Sequence, residues 1–556
     1  MKQTLTFSLL LYFLLLTNTN NLQAQADICG IRLIPDNRVA SFAFGEQVKI
    51  EFDYEVTEAS GARIFARPFS GGALASGYAA SGSPLYSGNG TDDGTFTINS
   101  TEQIVDEIRI RVTNADQSTI LREMWIPVEY HFGESGVNHF SYSHDPKVSS
   151  LLLGEQFEIT FDYNANHAGG NRIFIRPFTD GALTAGYGAS GSPSFSGTGS
   201  QTVNFTINSG KNVRVDSLRV TVLNDDQSTQ LDQFFIPVNL YFSTVKIFNV
   251  TAMGDLLSPN GENRTIQYSF ETTETAGARI FPRPWSLDGL TPGYSACGSG
   301  VNTGSGSLSC NFSIGSGNKY VDHIRFKAVS PDQSEEYLEI LYPVTYFFGE
   351  VSIENLKLCP QSPVRMENGE RVNVSFDIEN NTGADIRVFP RPFTNAALSP
   401  GYGASGSPLY GTGASPANHF FTINGGDVKV DHIRFKVTNG DQSMDLGEFF
   451  VPVDITFGGM TTNLEEELVV EELKLYPNPF HQNLHIDFSP KISGEVRVSV
   501  SDLQGRKLGE VARRTMFAGQ EERIQVNAQD LGMSPGLYLI TFEGEEFRFA
   551  RKVVLN

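Results

Sequence analysis

The chain has 556 residues and a formal net charge of −22, from 63 Asp and Glu against 41 Lys and Arg. This acidity excludes general nucleic-acid binding, because neutralising phosphates needs clustered Lys and Arg. At about 100–200 residues per domain, the length predicts several domains. The 54 Gly and 41 Phe, together with little helical periodicity, predict an all-β chain rich in turns.

The first 26 residues have the pattern of a secretory signal peptide. Lys2 supplies a positive charge, residues 7–16 form a short apolar run, and Ala24-Gln25-Ala26 is a small-x-small cleavage site. The apolar run is shorter than the roughly 20 residues that cross a bilayer. We predict cleavage after Ala26 and no transmembrane segment in the remaining chain.

Four copies of one module follow. The motif Arg-x-Phe-x-Arg-Pro-Phe (Trp in the third copy) starts at Arg63, Arg172, Arg279 and Arg387. Each copy continues with a Gly-Tyr-x-Ala loop, a Val-Asp strand that leads to Asp-Gln-Ser, and a Pro-Val pair in an aromatic strand. Apolar residues alternate along about seven strands per copy, which predicts immunoglobulin-like β-sandwiches. The predicted modules are repeat 1 (27–133), repeat 2 (134–243), repeat 3 (244–349) and repeat 4 (350–458).

The joints between the copies are very short. Phe132 ends one last strand, and residues 133–136 lead directly into the next first strand. Such joints predict a semi-rigid rod, on the order of 130 Å long if each 10-residue strand spans about 33 Å.

The four cysteines are too few for a disulfide scaffold. Cys297 and Cys310 lie in repeat 3 on either side of a Gly- and Ser-rich stretch, which predicts a disulfide that staples this loop. Cys29 and Cys359 lie in the first strands of two different repeats, and their pairing stays open. No C-x-x-C motif or neighbouring His points to a metal site.

The arginine strand of each copy is the first candidate binding feature. Its two arginines and the Phe between them share one face. We expect that Phe to be a core residue, so the guanidinium groups on its face are partly buried and need partners. In one interpretation, aspartates of the same modules pair with them; these are Asp106, Asp216, Asp322 and Asp431. In the other, the second arginine meets a ligand carboxylate or a sugar hydroxyl; these arginines are Arg67, Arg176, Arg283 and Arg391.

The Gly-Tyr loop is the second candidate. Its Gly, Ser and Pro residues are typical of turns, and the tyrosine either covers a core edge or stacks on a sugar ring or a protein partner. The tyrosines concerned are Tyr78, Tyr187, Tyr294 and Tyr402. Repeat 3 departs from the pattern, with Cys297 in the loop and Trp285 in the arginine strand.

The Asp-Gln-Ser motif predicts an Asx-type turn. The alternative interpretation of this motif is a calcium site. Asn224-Asp225-Asp226 and the net acidity support it, although the spacing matches no defined calcium loop. No catalytic set is present: there is no H-E-x-x-H motif, and residues 188–191 do not form G-x-S-x-G. We predict that the chain is not an enzyme and needs no cofactor, although its acidic residues leave a hydrolase open.

After an acidic connector (459–472), the segment 473–556 carries an ordered set of motifs. It opens on Tyr476-Pro477-Asn478-Pro479, continues through the turn at residues 502–506, and ends on Gly536-Leu537-Tyr538 and Arg551-Lys552-Val553-Val554. In this order the motifs resemble the type A C-terminal sorting domain of the type IX secretion system. The resemblance implies a small β-sandwich that the secretion machinery reads as an address. It also implies cleavage by a sortase-like protease, often with attachment to a surface glycolipid.

Together these features predict a protein exported across the outer membrane, either attached to the cell surface or extracellular. The four repeats between the two export signals predict a binding protein, adhesin-like or glycan-binding, whose low-affinity sites add up through avidity. The ligand would be a glycan or a surface protein. A purely structural stalk and an extracellular hydrolase with an unrecognised site are the alternatives.

Overall fold

The computed structural model describes residues 26–253, 256–287, 289–458, 470–476, 480–490, 494–502, 507–516, 522–534, 536–543 and 548–555. These residues form strands joined by turns and bends, with no helix among them, and the all-β prediction is confirmed. No helix capable of crossing a membrane occurs in this described part of the chain. Residues 1–25 of the predicted signal peptide, most of the acidic connector, and Pro477, Asn478 and Pro479 lie outside the described residues.

Repeat 1 forms two facing sheets. One has the order β1-β3-β7-β6, and the other contains β2, β9, β8, β4 and β5, with β2 parallel to β9. Alternate residues of each strand are buried; in β3 these are Val48, Ile50 and Phe52. The strands are β1 (Ala26–Ile34), β2 (Val39–Ala43), β3 (Gln47–Val56), β4 (Ala62–Ser70), β5 (Ala73–Leu74), β6 (Tyr78–Ala80), β7 (Gly88–Ile98), β8 (Gln103–Asn114) and β9 (Ile120–Gly133).

The same strand order recurs in the other three repeats, because the same alternation and turn residues recur. Their immunoglobulin-like class stays a prediction. The strands of repeat 2 are β10 (Ser135–Tyr142), β11 (Ser149–Leu152), β12 (Phe157–Ala165), β13 (Asn171–Thr179), β14 (Ala182–Leu183), β15 (Tyr187–Ala189), β16 (Gly197–Ile207), β17 (Val213–Asn224) and β18 (Gln230–Ser243).

The strands of repeat 3 are β19 (Val245–Met253), β20 (Leu257–Ser258), β21 (Arg264–Thr272), β22 (Arg279–Ser286), β23 (Gly289–Leu290), β24 (Tyr294–Ala296), β25 (Gly304–Ile314), β26 (Lys319–Val329) and β27 (Glu336–Phe348). The strands of repeat 4 are β28 (Val351–Cys359), β29 (Val364–Met366), β30 (Arg371–Asn380), β31 (Ile386–Thr394), β32 (Ala397–Leu398), β33 (Tyr402–Ala404), β34 (Gly413–Ile423), β35 (Val428–Asn439) and β36 (Asp445–Phe457).

Side chains cross each joint between consecutive repeats. They are His131 with Asp232 between repeats 1 and 2, Lys211 with Glu335 between repeats 2 and 3, and Asn318 with the main chain of Leu446 between repeats 3 and 4. Sheets also continue across joints: β10 of repeat 2 pairs with β2 of repeat 1. Each repeat is therefore fixed against the next one along the chain.

Repeat 4 returns to repeat 1. β29 pairs antiparallel with β9 through Met366 and Met124, and Cys29 is disulfide-bonded to Cys359. Apolar side chains of repeats 1 and 4 merge into one core. The four repeats therefore form a closed ring. The expected rod is wrong, because the last repeat packs on the first instead of extending the row.

The C-terminal segment forms a separate pair of sheets. One has the order β37-β38-β41 and the other β40-β39-β42-β43. Leu484, Ile486, Val498, Ile540 and Phe542 are among the fully buried residues of its core. The strands are β37 (Val470–Tyr476), β38 (Asn483–Pro490), β39 (Gly494–Asp502), β40 (Lys507–Met516), β41 (Glu522–Asn527), β42 (Gly536–Glu543) and β43 (Arg548–Leu555).

Candidate functional site

The arginine strand of each repeat turns its arginines away from the core. In β4, Ile64 and Ala66 are 4% and 2% exposed and face the core, whereas Arg63, Phe65 and Arg67 lie half-buried on the opposite face. The expectation that this Phe is a core residue is therefore wrong. The guanidinium carbon of Arg67 lies 5.2 Å from the centre of the Phe65 ring, so the arginine itself covers the aromatic face.

The first arginine of the motif joins two loops. Arg172 donates from Nε to the carbonyl of Asp225 at 2.7 Å and from Nη1 to the carbonyl of Ser192 at 2.8 Å. The corresponding arginines make the same two contacts; these are Arg63, Arg279 and Arg387. This arginine fixes the loop after the tyrosine against the Asp-Gln-Ser turn, so its role is structural.

The second arginine meets the tyrosine of the Gly-Tyr loop. Arg176 donates to the carbonyl of Ile175 at 2.9 Å and hydrogen-bonds the hydroxyl of Tyr187, and burial lowers the pKa of Arg176. Arg67 with Tyr78 and Arg391 with Tyr402 form the same pairs. In repeat 3, Arg283 keeps the bond to the preceding carbonyl at 2.7 Å, and Tyr294 is half-buried. Two of the predicted residue sets therefore come together as one cluster.

A further arginine, not among the predicted site residues, lies directly across the sheet from the second one. The cross-strand pairs are Arg67 with Arg109, Arg176 with Arg219, Arg283 with Arg325, and Arg391 with Arg434. Each partner lies over an aromatic ring of the arginine strand: Arg219 is 4.7 Å from the Phe178 ring centre and Arg325 is 5.1 Å from Trp285. This arginine stands three residues after the aspartate of the Val-Asp strand in every copy, and its recurrence was the signal that could have identified it.

Three aspartates of the Val-Asp strand, Asp216, Asp322 and Asp431, bind a main-chain N–H instead of the arginines that we expected. Asp216 accepts a hydrogen bond from the main-chain N–H of Asp180 at 2.6 Å. Asp322 and Asp431 do the same for Leu287 and Asn395. The register shift between Val215 and Ser217 turns the carboxylate toward the hairpin after the arginine strand. The hairpin residue has a positive φ, 50° at Asp180, and the carboxylate satisfies its N–H.

The Asp-Gln-Ser segment forms an Asx-type turn. Asp226 accepts the main-chain N–H of Ser228 at 2.9 Å, and Gln227 has a φ of 62°. In repeat 3, hydrogen bonds from Ser330 and Ser334 hold the pKa of Asp332 at about 2. Within the described ranges, no group of three or more His, Cys, Asp or Glu is arranged to hold a metal ion.

The loop of repeat 3 carries a covalent tie. Cys297 and Cys310 form a disulfide with their Cα atoms 5.4 Å apart, and the N–H of Cys297 also donates to the carbonyl of Asn311 at 3.0 Å. In repeat 2 the corresponding tie is a hydrogen bond between the Oγ of Ser190 and the carbonyl of Asn204 at 3.3 Å. The tyrosine loop is thus attached to the neighbouring strand by different chemistry in different copies.

In the C-terminal domain, Tyr476 is held by an ion pair. Its hydroxyl donates to Asp487 Oδ2 at 2.7 Å, and Arg523 donates to both oxygens of Asp487 at 2.6 and 2.9 Å. The bonds from Arg523 and Tyr476 lower the pKa of Asp487 to about 2. Gly536 begins β42, and the hydroxyl of Tyr538 on that strand donates to the carbonyl of Ser534 at 2.6 Å. Lys552 lies in β43.

The solved structures that are similar to this chain are remote. The chain shares 12% identity with Escherichia coli α-2-macroglobulin activated by porcine elastase, covering 96% of this chain and 53% of that one, with a TM-score of 0.19. The native conformation of the same E. coli protein gives 11% identity, 92% and 39% coverage and a TM-score of 0.17. A protein of unknown function from Porphyromonas gingivalis gives 9% identity, 39% and 100% coverage and a TM-score of 0.18. The chain thus spans about half or less of the length of the E. coli structures, and these TM-scores assign neither fold nor function to it.

No curated protein matches the chain. A family model does: residues 474–556 match the secretion system C-terminal sorting domain. The prediction made from the ordered motifs of this segment is confirmed. Residues 474–556 are a type IX C-terminal sorting domain, and the protein is exported across the outer membrane to the cell surface or the extracellular space.

Proposed function

We propose that the four repeats are a non-enzymatic binding unit, adhesin-like or glycan-binding, which the sorting domain delivers to the cell exterior. The observation that carries the proposal is the cross-strand arginine pair of each repeat, flanked by aromatic rings and reached by the loop tyrosine in repeats 1, 2 and 4. Guanidinium groups beside aromatic faces suit ligands that combine an oxyanion or hydroxyl with a flat apolar surface.

Two arginines that face each other across the sheet lower the stability of the fold unless a negative charge lies nearby. Like charges directly opposite each other on a sheet are destabilising. The chain is strongly acidic overall, with 63 Asp and Glu, yet it keeps arginines opposite each other at the same position in every copy. In repeat 2, where Gln233 stands in place of the glutamate, this retention supports a role in recognition more than a role in folding.

The closed ring supports multivalent display. The clusters of repeats 2 and 3, whose arginine pairs form no ion pair with a glutamate among the described residues, lie on this fixed scaffold and would bind a repeating ligand with an effective concentration that the ring geometry sets. A stalk would be long because its modules lie end to end. The pairing of Met124 with Met366 brings repeat 4 back to repeat 1, so the ring does not have that length.

A binding screen tests the proposal. The exported protein is applied to arrays of neutral and acidic glycans and to surface-protein extracts, beside a double variant, Arg176→Gln with Arg283→Gln. Wild type is expected to bind, and the double variant to bind at least about tenfold more weakly. Arg32→Gln is the control, because the Arg32 side chain is 50% exposed and lies in β1 of the other sheet. Absence of binding at every salt and calcium concentration would favour a structural scaffold, and release of products from a polymer would favour a hydrolase.

A further inference from the structure

We propose that repeat 2 carries an open oxyanion site, formed by Arg176 and Arg219, that takes a carboxylate or sulfate group of an acidic polysaccharide. The inference rests on the proposed binding function and names the chemistry of its ligand. It is drawn from a comparison of the four copies with one another.

Two copies supply their own anion to the arginine pair. In repeat 4, Nη1 of Arg434 lies 3.2 Å from Oε1 of Glu448. In repeat 1, Nε of Arg109 lies 3.5 Å from Oε1 of Glu123, which also forms a closer ion pair with Arg111; the side chains of Arg109 and Glu123 are almost completely buried. Glu123 and Glu448 occupy equivalent positions. Trp125 faces Arg109 across β8–β9, and Phe450 faces Arg434 across β35–β36. Each glutamate stands two residues before that facing residue.

The face of repeat 1 is closed in a second way. Arg365 of repeat 4 lies over the Trp125 ring, 4.0 Å from its centre, and forms an ion pair with Glu107 at 2.5 Å. In repeat 1, Glu123 thus lies beside Arg109, and Arg365 of repeat 4 covers the Trp125 ring that faces Arg109 across the sheet. Its cluster serves the joint between repeats 1 and 4.

Repeat 2 lacks the internal anion. Gln233 stands where repeats 1 and 4 have glutamate. Arg219 lies over Phe178, and Arg176 binds Tyr187 and a main-chain carbonyl; in the described part of the chain neither guanidinium has a carboxylate partner. The Nε of Arg219 is buried without a hydrogen-bond acceptor, as are those of Arg325 and Arg434, so the feature that distinguishes repeat 2 is the missing glutamate. A half-buried charge without a counter-ion is unfavourable. An external oxyanion at repeat 2 would supply the negative charge that Glu123 supplies in repeat 1 and Glu448 supplies in repeat 4.

Repeat 3 is an intermediate case. Its acid, Glu339, is present, but it lies 3.9 Å from Lys327, and Arg325 contacts the ring of Trp285. Repeat 2 has Thr221 at the position of Lys327. Repeat 2 therefore lacks both the glutamate and the lysine that attracts it, and this is why we place the open site in repeat 2.

An apolar platform beside the arginines favours a sugar as the carrier of the anion. Phe178 and Phe235 meet edge to face with their ring centres 5.3 Å apart, and Phe235 is 39% exposed. An exposed ring next to a guanidinium accommodates the flat face of a pyranose while its acidic group meets the arginines. An acidic peptide offers the charge without that flat face.

The test uses the exported protein and four soluble polymers: polygalacturonate, dextran sulfate, neutral dextran and poly-glutamate. Gln233→Glu restores the acid of repeats 1 and 4, and Arg219→Gln removes half of the pair. Both variants are expected to weaken binding to polygalacturonate or dextran sulfate about tenfold or more, since a charge-assisted contact is lost. Gln230→Glu is the matched control: it adds the same charge on β18 but pairs with Leu223, and its binding is expected to equal that of wild type.

A ligand-independent measurement accompanies the titrations. If the site is open, Gln233→Glu neutralises the arginines and raises the thermal unfolding temperature, whereas Gln230→Glu does not. Unchanged affinity and unchanged stability in Gln233→Glu would overturn the proposal, as would binding to neutral dextran alone or equal binding to poly-glutamate. Binding to other ligands that the repeat 2 variants leave unaffected would overturn this site while leaving the general binding function in place. Absence of binding to any ligand would overturn both.

Discussion

Cys29 and Cys359 form a disulfide with their Cα atoms 4.9 Å apart, although 330 positions separate them in sequence. Around this bond, Gln361 donates a hydrogen bond to the carbonyl of Ile31 at 2.5 Å, and β29 continues the sheet of β9. The bond and its surroundings fix the first repeat to the last. The ring is therefore closed both by packing and by a covalent link.

Replacing both cysteines, Cys29→Ser with Cys359→Ser, is expected to open or loosen the ring. A disulfide typically contributes about 2–4 kcal/mol by restricting the unfolded chain, and more for long loops. We expect a lower unfolding temperature and a larger radius of gyration by small-angle X-ray scattering.

The internal control for this change is Cys297→Ser with Cys310→Ser. Its disulfide spans a separation of 13 residues inside repeat 3, so its loss should affect that repeat alone and leave the radius of gyration unchanged. Equal scattering profiles for all three proteins would show that the disulfide between Cys29 and Cys359 does not hold the ring closed.

Arg122 is expected to be the most sensitive charged residue at the joint between repeats 1 and 4. Its side chain is 0% exposed; it forms an ion pair with Asp27 and donates to the carbonyl of Arg371 at 2.6 Å. Arg122→Leu leaves Asp27 without its cation, which costs about 3–5 kcal/mol when a buried pair is broken. Thermal unfolding measures the loss, and Arg32→Gln, at an exposed ion pair, should cost less than about 1 kcal/mol.

The joint between repeats 1 and 2 is expected to weaken at alkaline pH. Burial opposes the charged form of His131, but hydrogen bonds to Asp232 and Glu129 outweigh it and raise the pKa of His131 to about 9. A raised pKa adds stability that is complete below the ordinary value of 6.5 and is lost as pH rises through about 9. Urea unfolding between pH 6 and 10 should show a loss on the order of 3 kcal/mol. His131→Gln should flatten this profile, and an identical profile in the variant would disprove the role of His131.

The ion pair behind Tyr476 is expected to stabilise the sorting domain. Because the pKa of Asp487 is lowered to about 2, its contribution is present above the ordinary value of 3.8 and is lost as pH falls toward 2. Asp487→Asn should increase hydrogen–deuterium exchange in β37, β38 and β41. Arg514→Gln, at a partly exposed pair with Glu522, should change exchange much less. Unchanged exchange after Asp487→Asn would contradict the role of this ion pair.

Export itself gives a further expected outcome. The family of the C-terminal domain implies removal of that domain outside the cell, so mass spectrometry of surface and medium fractions should detect peptides that start near Asp27. It should detect none from beyond Tyr476. Intact C-terminal peptides on exported protein would contradict the predicted processing.

Alternation along the strands was sufficient to predict an all-β chain, because buried and exposed residues follow the period of the pleat in segments such as β3 and β30. The ring could not be predicted from the sequence, because the pairing of Met124 with Met366 depends on the path of the chain through four modules. Short joints between modules are equally compatible with a row and with a ring. Cys29 and Cys359, in the first strands of repeats 1 and 4, were also compatible with both a row and a ring, because their pairing could not be read from the sequence.

The candidate site was partly predictable. The second arginines and the tyrosines were identified, but Asp216 was given the wrong partner, because the register shift next to it reverses the alternation that placed it beside the core. The arginine opposite Arg176 was missed for a different reason: it becomes a neighbour only through the pairing of β13 with β17, and the order of the motifs along the chain does not state which strands pair. Phe65 was taken for a core residue because its covering by Arg67 is visible only in three dimensions.

The bond between Cys29 and Cys359 also bears on how the protein withstands proteases outside the cell. A single peptide cut anywhere from residue 30 to residue 358 leaves both products attached through that bond. No fragment can diffuse away, and the packing around the cut can re-form at a high effective concentration. A nicked molecule would therefore keep all of its arginine clusters in place until a reductant or a second cut separates the pieces.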